Sequence, residues 1–216
     1  EDAVGISLVA NADFEKVKAL TQLEGYGAVE AEINGQKRAI VIVSLTDYHR
    51  NNFGGSQGFR FAIKVHTDVD IEGHTYKDGY LFWRYWEGDT ADSPSIVGAK
   101  EIIGFPKRPS TISWDFRSTI KEGKIFDKNG DLIFRYWMNS LNKDGVSRLL
   151  FPRIPTHNGL VVAITPKNKK FDPEAVGSVT NVVAAGGVHH PVFKYDRNLD
   201  GFEVGNGGGN LKELLN

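Results

Sequence analysis

Hydrophobic positions along the chain change period once. From Phe14 to Leu23 the apolar residues Phe14, Val17, Ala19, Leu20 and Leu23 fall at helical spacing. Asn11 or Asp13 can cap this stretch, Glu15 suits its first turn and Gly25 its end, so a helix is predicted over 11–24. After it the pattern shortens to strand-like runs. Residues 28–33 and 37–45 flank Asn34-Gly35, a two-residue hairpin signal. Further strands are predicted over 59–66, 74–86, 111–117, 123–126, 131–139, 148–154, 160–165, 176–184 and 191–195. Residues 46–58, polar and glycine-rich, are expected to form a loop long enough for a lid or rim. Residues 205–210 read as a mobile glycine-rich segment, and 211–215 as a short terminal helix. Many short strands with hairpin turns and one principal helix predict a mainly β, antiparallel architecture, closed or sandwiched. No internal repeat or long linker divides the chain, so a single domain over 1–216 is expected.

Aromatic residues crowd a few of these strands: Tyr80, Phe82, Trp83, Tyr85 and Trp86, then Trp114 and Phe116, then Phe134, Tyr136 and Trp137. Rings on both faces of one strand predict that it is covered on both sides.

Composition narrows the function classes. The chain has 216 residues, 40% hydrophobic and 25% charged, enough for a sizeable core. A net charge of −1 gives no electrostatic reason for a nucleic acid or anionic membrane partner. The absence of cysteine excludes disulfides, thiolate catalysis and cysteine-ligated zinc. No apolar run approaches the roughly 18–20 residues that a membrane helix needs. The opening Glu-Asp-Ala-Val suits a mature secreted chain. A cytoplasmic protein is the alternative.

The stretch 98–109 is the strongest candidate for chemistry. Phe105 and Arg108 each precede a proline, which holds the backbone extended. Adjacent side chains of an extended segment point to opposite faces, so Lys107 and Arg108 should diverge. A free lysine amine, with a pKa of about 10.4, is protonated at neutral pH, and burial or a nearby cation frees it. Ile102, Ile103 and Phe105 offer burial, the expected larger effect, and Arg108 offers charge or a structural role. The same two cations between prolines also fit a solvated loop tip.

Gly98-x-x-Glu101-x-x-Gly104-Phe105-Pro106-Lys107-Arg108 resembles the signature of the acetoacetate decarboxylase family, a Gly-x-Glu segment leading into Gly-Tyr/Phe-Pro-Lys-Lys. One extra residue separates Gly98 from Glu101, and Arg108 takes the place of the second lysine. Asp78-Gly79-Tyr80-Leu81, leading into the aromatic strand, and the turn over 149–159 are similar to further family segments. The resemblance implies a cone-like antiparallel β-barrel with an N-terminal helix and short extra helices, assembled as a homo-oligomer and working without a metal or cofactor. It implies a lyase that acts on a keto acid or related small carbonyl compound through a Schiff base at Lys107. Activation by a neighbouring cation is the known device of acetoacetate decarboxylase itself. Glu101 would orient water or a proton, or else pair with Lys100 or Arg108.

Two departures shape the expected chemistry. Where family members carry acidic residues on earlier strands, this chain has Ile42 or Val43, and Phe61 or Ala62. The family's N-terminal arginine for the substrate carboxylate has no match. Arg60 and Arg84 are the nearest cations, and with Phe105 and Trp83 they are the expected substrate contacts. A non-decarboxylating relative (hydrolase, isomerase, aldolase or dehydratase) and a non-catalytic barrel for a hydrophobic ligand are the alternatives.

Other clusters have plainer readings. His66, Asp68, Asp70, Glu72 and His74 alternate at period two, as metal ligands or the solvated face of an edge strand would. Asp196-x-Asn198-x-Asp200-Gly201 matches half a calcium loop or an Asx-rich turn. Gly186-Gly187-Val188-His189-His190 is a glycine-rich turn in which His189 is a candidate proton donor. No Gly-x-Ser-x-Gly or phosphate-cradling loop occurs.

Overall fold

Asp13 converts strand into helix. In the computed structural model, which describes residues 2–50, 56–71, 74–98, 107–115, 118–139, 146–148, 160–164, 179–183, 190–192, 196 and 198–215, its Oδ1 accepts the Lys16 amide at 3.0 Å. Strand β1 (Asp2–Asp13) precedes it and helix α1 (Phe14–Leu23) follows. Residues 11–13 are therefore strand rather than helix, paired with 38–40. Gly25, at φ +85°, ends α1. Its amide bonds to Gln22 O and that of Tyr26 to Thr21 O, the two bonds of a Schellman ending.

Asn34 and Gly35, both at positive φ, join β2 (Glu30–Ile33) to β3 (Gln36–Arg50), as the hairpin signal predicted. The expected loop over 46–58 is largely strand. β3 continues to Arg50, β4 (Ser56–Ile71) begins at Ser56, and residues 46–48 pair with 56–58. Polar composition does not preclude a ladder there, because backbone pairing does not require apolar side chains. β5 (His74–Glu87), α2 (Pro94–Gly98) and β6 (Lys107–Pro109) follow. Then come β7 (Thr111–Asp115), β8 (Ile120–Phe126), β9 (Leu132–Asn139), β10 (Val146–Arg148), β11 (Leu160–Ile164), β12 (Val179–Val183), β13 (His190–Val192), β14 (Gly201–Val204) and α3 (Leu211–Leu215).

The main sheet runs β1-β3-β4-β5-β11-β12, with β2 also on β3 and β6 also on β5. Its ladders are antiparallel except where β11 and β6 share the far side of β5. A second sheet is β14-β9-β8-β7, and β10 pairs with β13. The fold is thus mainly β and mainly antiparallel. Among the described residues the main sheet is open, with no ladder joining β1 to β12.

Alternation gives the main sheet two faces. One carries Val41, Val43, Leu45, Phe59, Phe61, Ile63 and Val65 into a core with Ile125, Phe134 and Tyr136 of the second sheet and Val17 of α1. Phe59 lies between Trp86 and Phe134, with ring centroids at 5.5 and 5.1 Å. The other face carries Ile42, Ser44, Arg60 and Ala62. A β-bulge in β5 decides what joins them. Phe61 pairs with Arg84 but Ala62 with Phe82, so Trp83 is the extra residue. Without it, Tyr85 and Glu87 would share the face of Leu81 and enter the core. With it, they stand beside Arg60.

The glycine-rich segment near the C-terminus is packed. Residues 206–208 form a 3₁₀ turn, Gly208 is buried, and a Cβ at Gly205 would overlap the Leu132 carbonyl oxygen. Backbone cannot yield as a side chain can. Gly205→Ala is expected to destabilise by about 1–3 kcal/mol, measured as a lower urea midpoint at unchanged m.

Candidate active site

β6 lies parallel to the end of β5, with Lys107 opposite Tyr85 and Arg108 opposite Trp86. The two cations diverge as extended backbone requires. Lys107 is 9% exposed, whereas Arg108 is an exposed residue. Lys107 Nζ donates to Ser95 Oγ at 2.9 Å and lies 2.5 Å from Glu87 Oε2. Ser95 Oγ donates to Glu87 Oε1 at 2.5 Å, closing a triangle of three buried side chains. Glu87 is 0% and Ser95 4% exposed. The contact between Nζ and Oε2 has the distance of a hydrogen bond without its alignment, so Oε2 is held by charge. Both contacts through Ser95 are aligned.

Local structure fixes each member. The Glu87 carbonyl oxygen accepts Asp89 N at 2.8 Å, Ser110 N at 2.8 Å and Ser110 Oγ at 3.0 Å, and Gly88 N donates to Gln57 O at 2.8 Å. These bonds clamp the end of β5. Ser93 begins α2, its Oγ accepting Ile96 N at 3.3 Å, and Pro94 takes the first helical position. Ile96 is fully buried and anchors the helix, which turns Ser95 toward Glu87.

Tyr85 joins the lysine to a second cation. Its ring centroid is 4.7 Å from Lys107 Nζ and 5.0 Å from Arg60 Cζ, and Arg60 Nη2 donates to its hydroxyl at 3.3 Å. Gly58 leaves room for this ring, since a Cβ there would come 2.8 Å from the Tyr85 hydroxyl. Of the residues that the resemblance set against the family's acids, Ile42 or Val43 and Phe61 or Ala62, Ile42 and Ala62 occupy the same sheet face as Arg60. Tyr80 also shares that face. Burial above all, then the Asp78 charge, pushes its hydroxyl up to about 12, so it stays protonated at neutral pH.

Of the residues singled out from sequence, the structure brings together Lys107 and Arg60. Trp83 belongs to the core on the opposite face, in edge contact with Phe61 at 5.7 Å. Arg84 stands over Trp83, its Cζ 4.1 Å from the ring, with Nη1 donating to Trp83 O. Burial foremost, then the nearby Arg108 charge, holds the Arg84 guanidinium below its ordinary value. Arg84 and Arg108 thus influence each other on the side away from Lys107. Glu101, Phe105 and the turn around His189 lie outside the described residues. Glu87 and Ser95 had not been singled out. A glutamate closing a run of aromatics, and a serine following Ser-Pro, were the available signals.

In the other clusters the described side chains make ordinary pairs, while Glu72 and the side chains of Asp70 and His74 lie outside the described residues. Asp78 takes both Lys64 at 3.0 Å and His66 at 3.2 Å, and Asp68 pairs with Lys77 at 2.5 Å. Among the described residues no three His, Asp or Glu side chains converge on a metal position. Asp200 is buried and accepts the Asn139 and Asp196 amides at 3.0 and 2.8 Å, while Asp196 accepts the Asn198 amide at 2.9 Å. That is the Asx-rich turn.

A buried ion pair often stabilises no better than apolar residues of similar volume. The pair sits where β5, β6 and α2 meet. Fold and site together define a mainly β protein with a buried lysine–carboxylate–serine triangle. No family model matches the chain, and no curated protein matches it. Among solved structures it is similar to an acetoacetate decarboxylase at TM-score 0.55 and 14% identity, over 94% of this chain and 72% of that one. It also matches acetoacetate decarboxylase from Legionella pneumophila subsp. pneumophila str. Philadelphia 1 at TM-score 0.47 and 13% identity, over 66% of this chain and 49% of that one. The chain thus spans about half the length of the Legionella protein. Its fold is acetoacetate decarboxylase-like.

Proposed function

We propose that the protein is a Schiff-base lyase for a small keto acid, with Lys107 as nucleophile. The observation that carries this reading is the buried Lys107 amine, held 2.5 Å from the fully buried Glu87 carboxylate in this fold. Glu87 accepts a proton from Lys107, and the amine attacks the ketone carbon. The carbinolamine loses water to give an iminium. The bond to the carboxylate carbon then breaks, its electron pair moves toward the iminium nitrogen, and carbon dioxide leaves. The resulting enamine takes a proton at carbon, and water releases the ketone and regenerates the amine. Arg60, over the ring of Tyr85 like Lys107, is the cation for the substrate carboxylate. Tyr85 stabilises both cations through its π face. Barrel closure, a single domain over 1–216 and homo-oligomeric assembly belong to the same reading.

A second reading keeps the imine and drops decarboxylation. The apolar Ile42 and Ala62 favour it, because carbonyl chemistry such as aldol cleavage or dehydration does not need the family's earlier acids. Both readings require the covalent intermediate. The test is incubation with acetoacetate, reduction with borohydride and mapping of the adduct by mass spectrometry. Modification at Lys107 is expected, with carbon dioxide release separating the first reading from the second. An unmodified Lys107 across a panel of ketones and keto acids rules out both.

A further inference from the structure

The triangle offers two proton paths from Lys107 to Glu87, and they are unequal. The direct one, Nζ to Oε2, is short but misaligned. The path through Ser95 is aligned on both legs, Nζ to Oγ at 2.9 Å and Oγ to Oε1 at 2.5 Å. Proton transfer follows hydrogen bonds, so geometry favours the longer route. We infer that Ser95 is a catalytic residue that relays protons between Glu87 and the reacting nitrogen or water. This rests on the Schiff-base reading and assigns a specific proton route within it.

The relay balances at each stage. On activation, a Lys107 N–H proton passes to Ser95 Oγ as the Ser95 hydroxyl proton passes to Glu87 Oε1. Nζ is left with its lone pair and Glu87 is protonated. When the carbinolamine dehydrates, the same two transfers run backward. Glu87 returns its proton to Ser95, and Ser95 gives one to the departing hydroxyl, which leaves as water.

The iminium changes the demand on Ser95. A lysine ammonium has three N–H donors, but a protonated imine keeps one. Nζ can then serve Glu87 or Ser95, not both, and the charged carboxylate is the stronger acceptor. Ser95 still donates to Glu87 Oε1, while its oxygen becomes free to accept from a water beside the imine carbon. When that water attacks, its oxygen bonds to carbon and the C=N electron pair returns to nitrogen. The water's proton moves to Ser95 Oγ as the Ser95 proton moves to Glu87.

Acetone in water labelled with heavy oxygen isolates these steps, because label enters the carbonyl only through formation and hydrolysis of the imine, beyond a measured uncatalysed background. The wild-type protein is expected to catalyse the exchange and to give a borohydride adduct. Ser95→Ala should slow exchange by about 10²-fold, the lower range for loss of a positioned proton-transfer group, while long incubation still yields the adduct. Ser95→Thr, which keeps the hydroxyl, should restore most of the rate. A purely structural serine predicts changed thermal stability with exchange per folded molecule unaltered. Wild-type exchange in folded Ser95→Ala, or a Ser95→Thr rate no better than that of Ser95→Ala, overturns the relay and leaves the Schiff base standing. If Ser95→Ala does not fold, Ser95→Thr and its isostere Ser95→Val decide by the same rates: exchange near wild type in Thr and far slower in Val supports the relay, and equal rates overturn it. Absence of both exchange and adduct in the wild type overturns the Schiff-base reading and the relay with it.

Discussion

Lys107→Met is expected to abolish the borohydride adduct, bring keto acid turnover to background and destabilise the fold. The first two losses follow from removal of the nucleophile, since methionine approximates the length of the stem without the amine. The third follows from what remains. Glu87, 0% exposed, would be left as a buried carboxylate without its counter-charge. Removing one partner of a buried ion pair destabilises by about 3–5 kcal/mol. Urea denaturation of the single variant and of Lys107→Met combined with Glu87→Gln separates the two consequences. The double variant should regain much of the lost stability, because the neutral amide can still accept from Ser95, and it should remain inactive. Full turnover in Lys107→Met would remove every lysine mechanism from consideration.

Glu87→Gln tests the other half of the pair. The amide preserves shape and cannot take a proton, so the amine loses its proton acceptor while the site keeps its geometry. Turnover is expected to fall by about 10²–10⁴-fold, the usual contribution of a positioned acid–base group. The loss should appear mainly in kcat, with KM little changed, because Arg60 rather than Glu87 is the proposed contact for the substrate carboxylate. Single-turnover trapping should show the adduct at Lys107 forming slowly but to completion. A loss of only a few-fold would mean that another group takes the proton and that Glu87 serves the fold alone.

Both predictions turn on a carboxylate that the sequence did not disclose. What could be read was local. Asp13 and Gly25 bound α1, Asn34-Gly35 turns a hairpin, and the prolines around Lys107 and Arg108 make adjacent side chains diverge. Each of these is decided by residues within a few positions of one another. Glu87 lies 20 residues from Lys107, and two separate facts place it there: the parallel pairing of β6 with β5 and the extra residue Trp83. Simple alternation along β5 puts Glu87 on the core face, where a glutamate would be read as a strand end. Ser95 was hidden for another reason. Ser-Pro-Ser resembles loop composition, and a five-residue helix carries too little periodicity to announce itself. Trp83 and Arg84 were expected near the substrate, Arg84 as a cation for its carboxylate. Trp83 keeps the core face of Leu81, and the bulge moves Arg84 off the face of Arg60, opposite Phe61.

That extra residue also governs comparison with relatives. Trp83 works as a one-letter insertion in the reading frame of β5, and every residue after it has changed sides of the sheet. An ungapped alignment with a strand that lacks the insertion would match Tyr85 and Glu87 to core positions and would score the carboxylate as an anomaly. Opening a single gap at Trp83 brings the comparison back into phase, and only then does one ask whether an acid stands where Glu87 does.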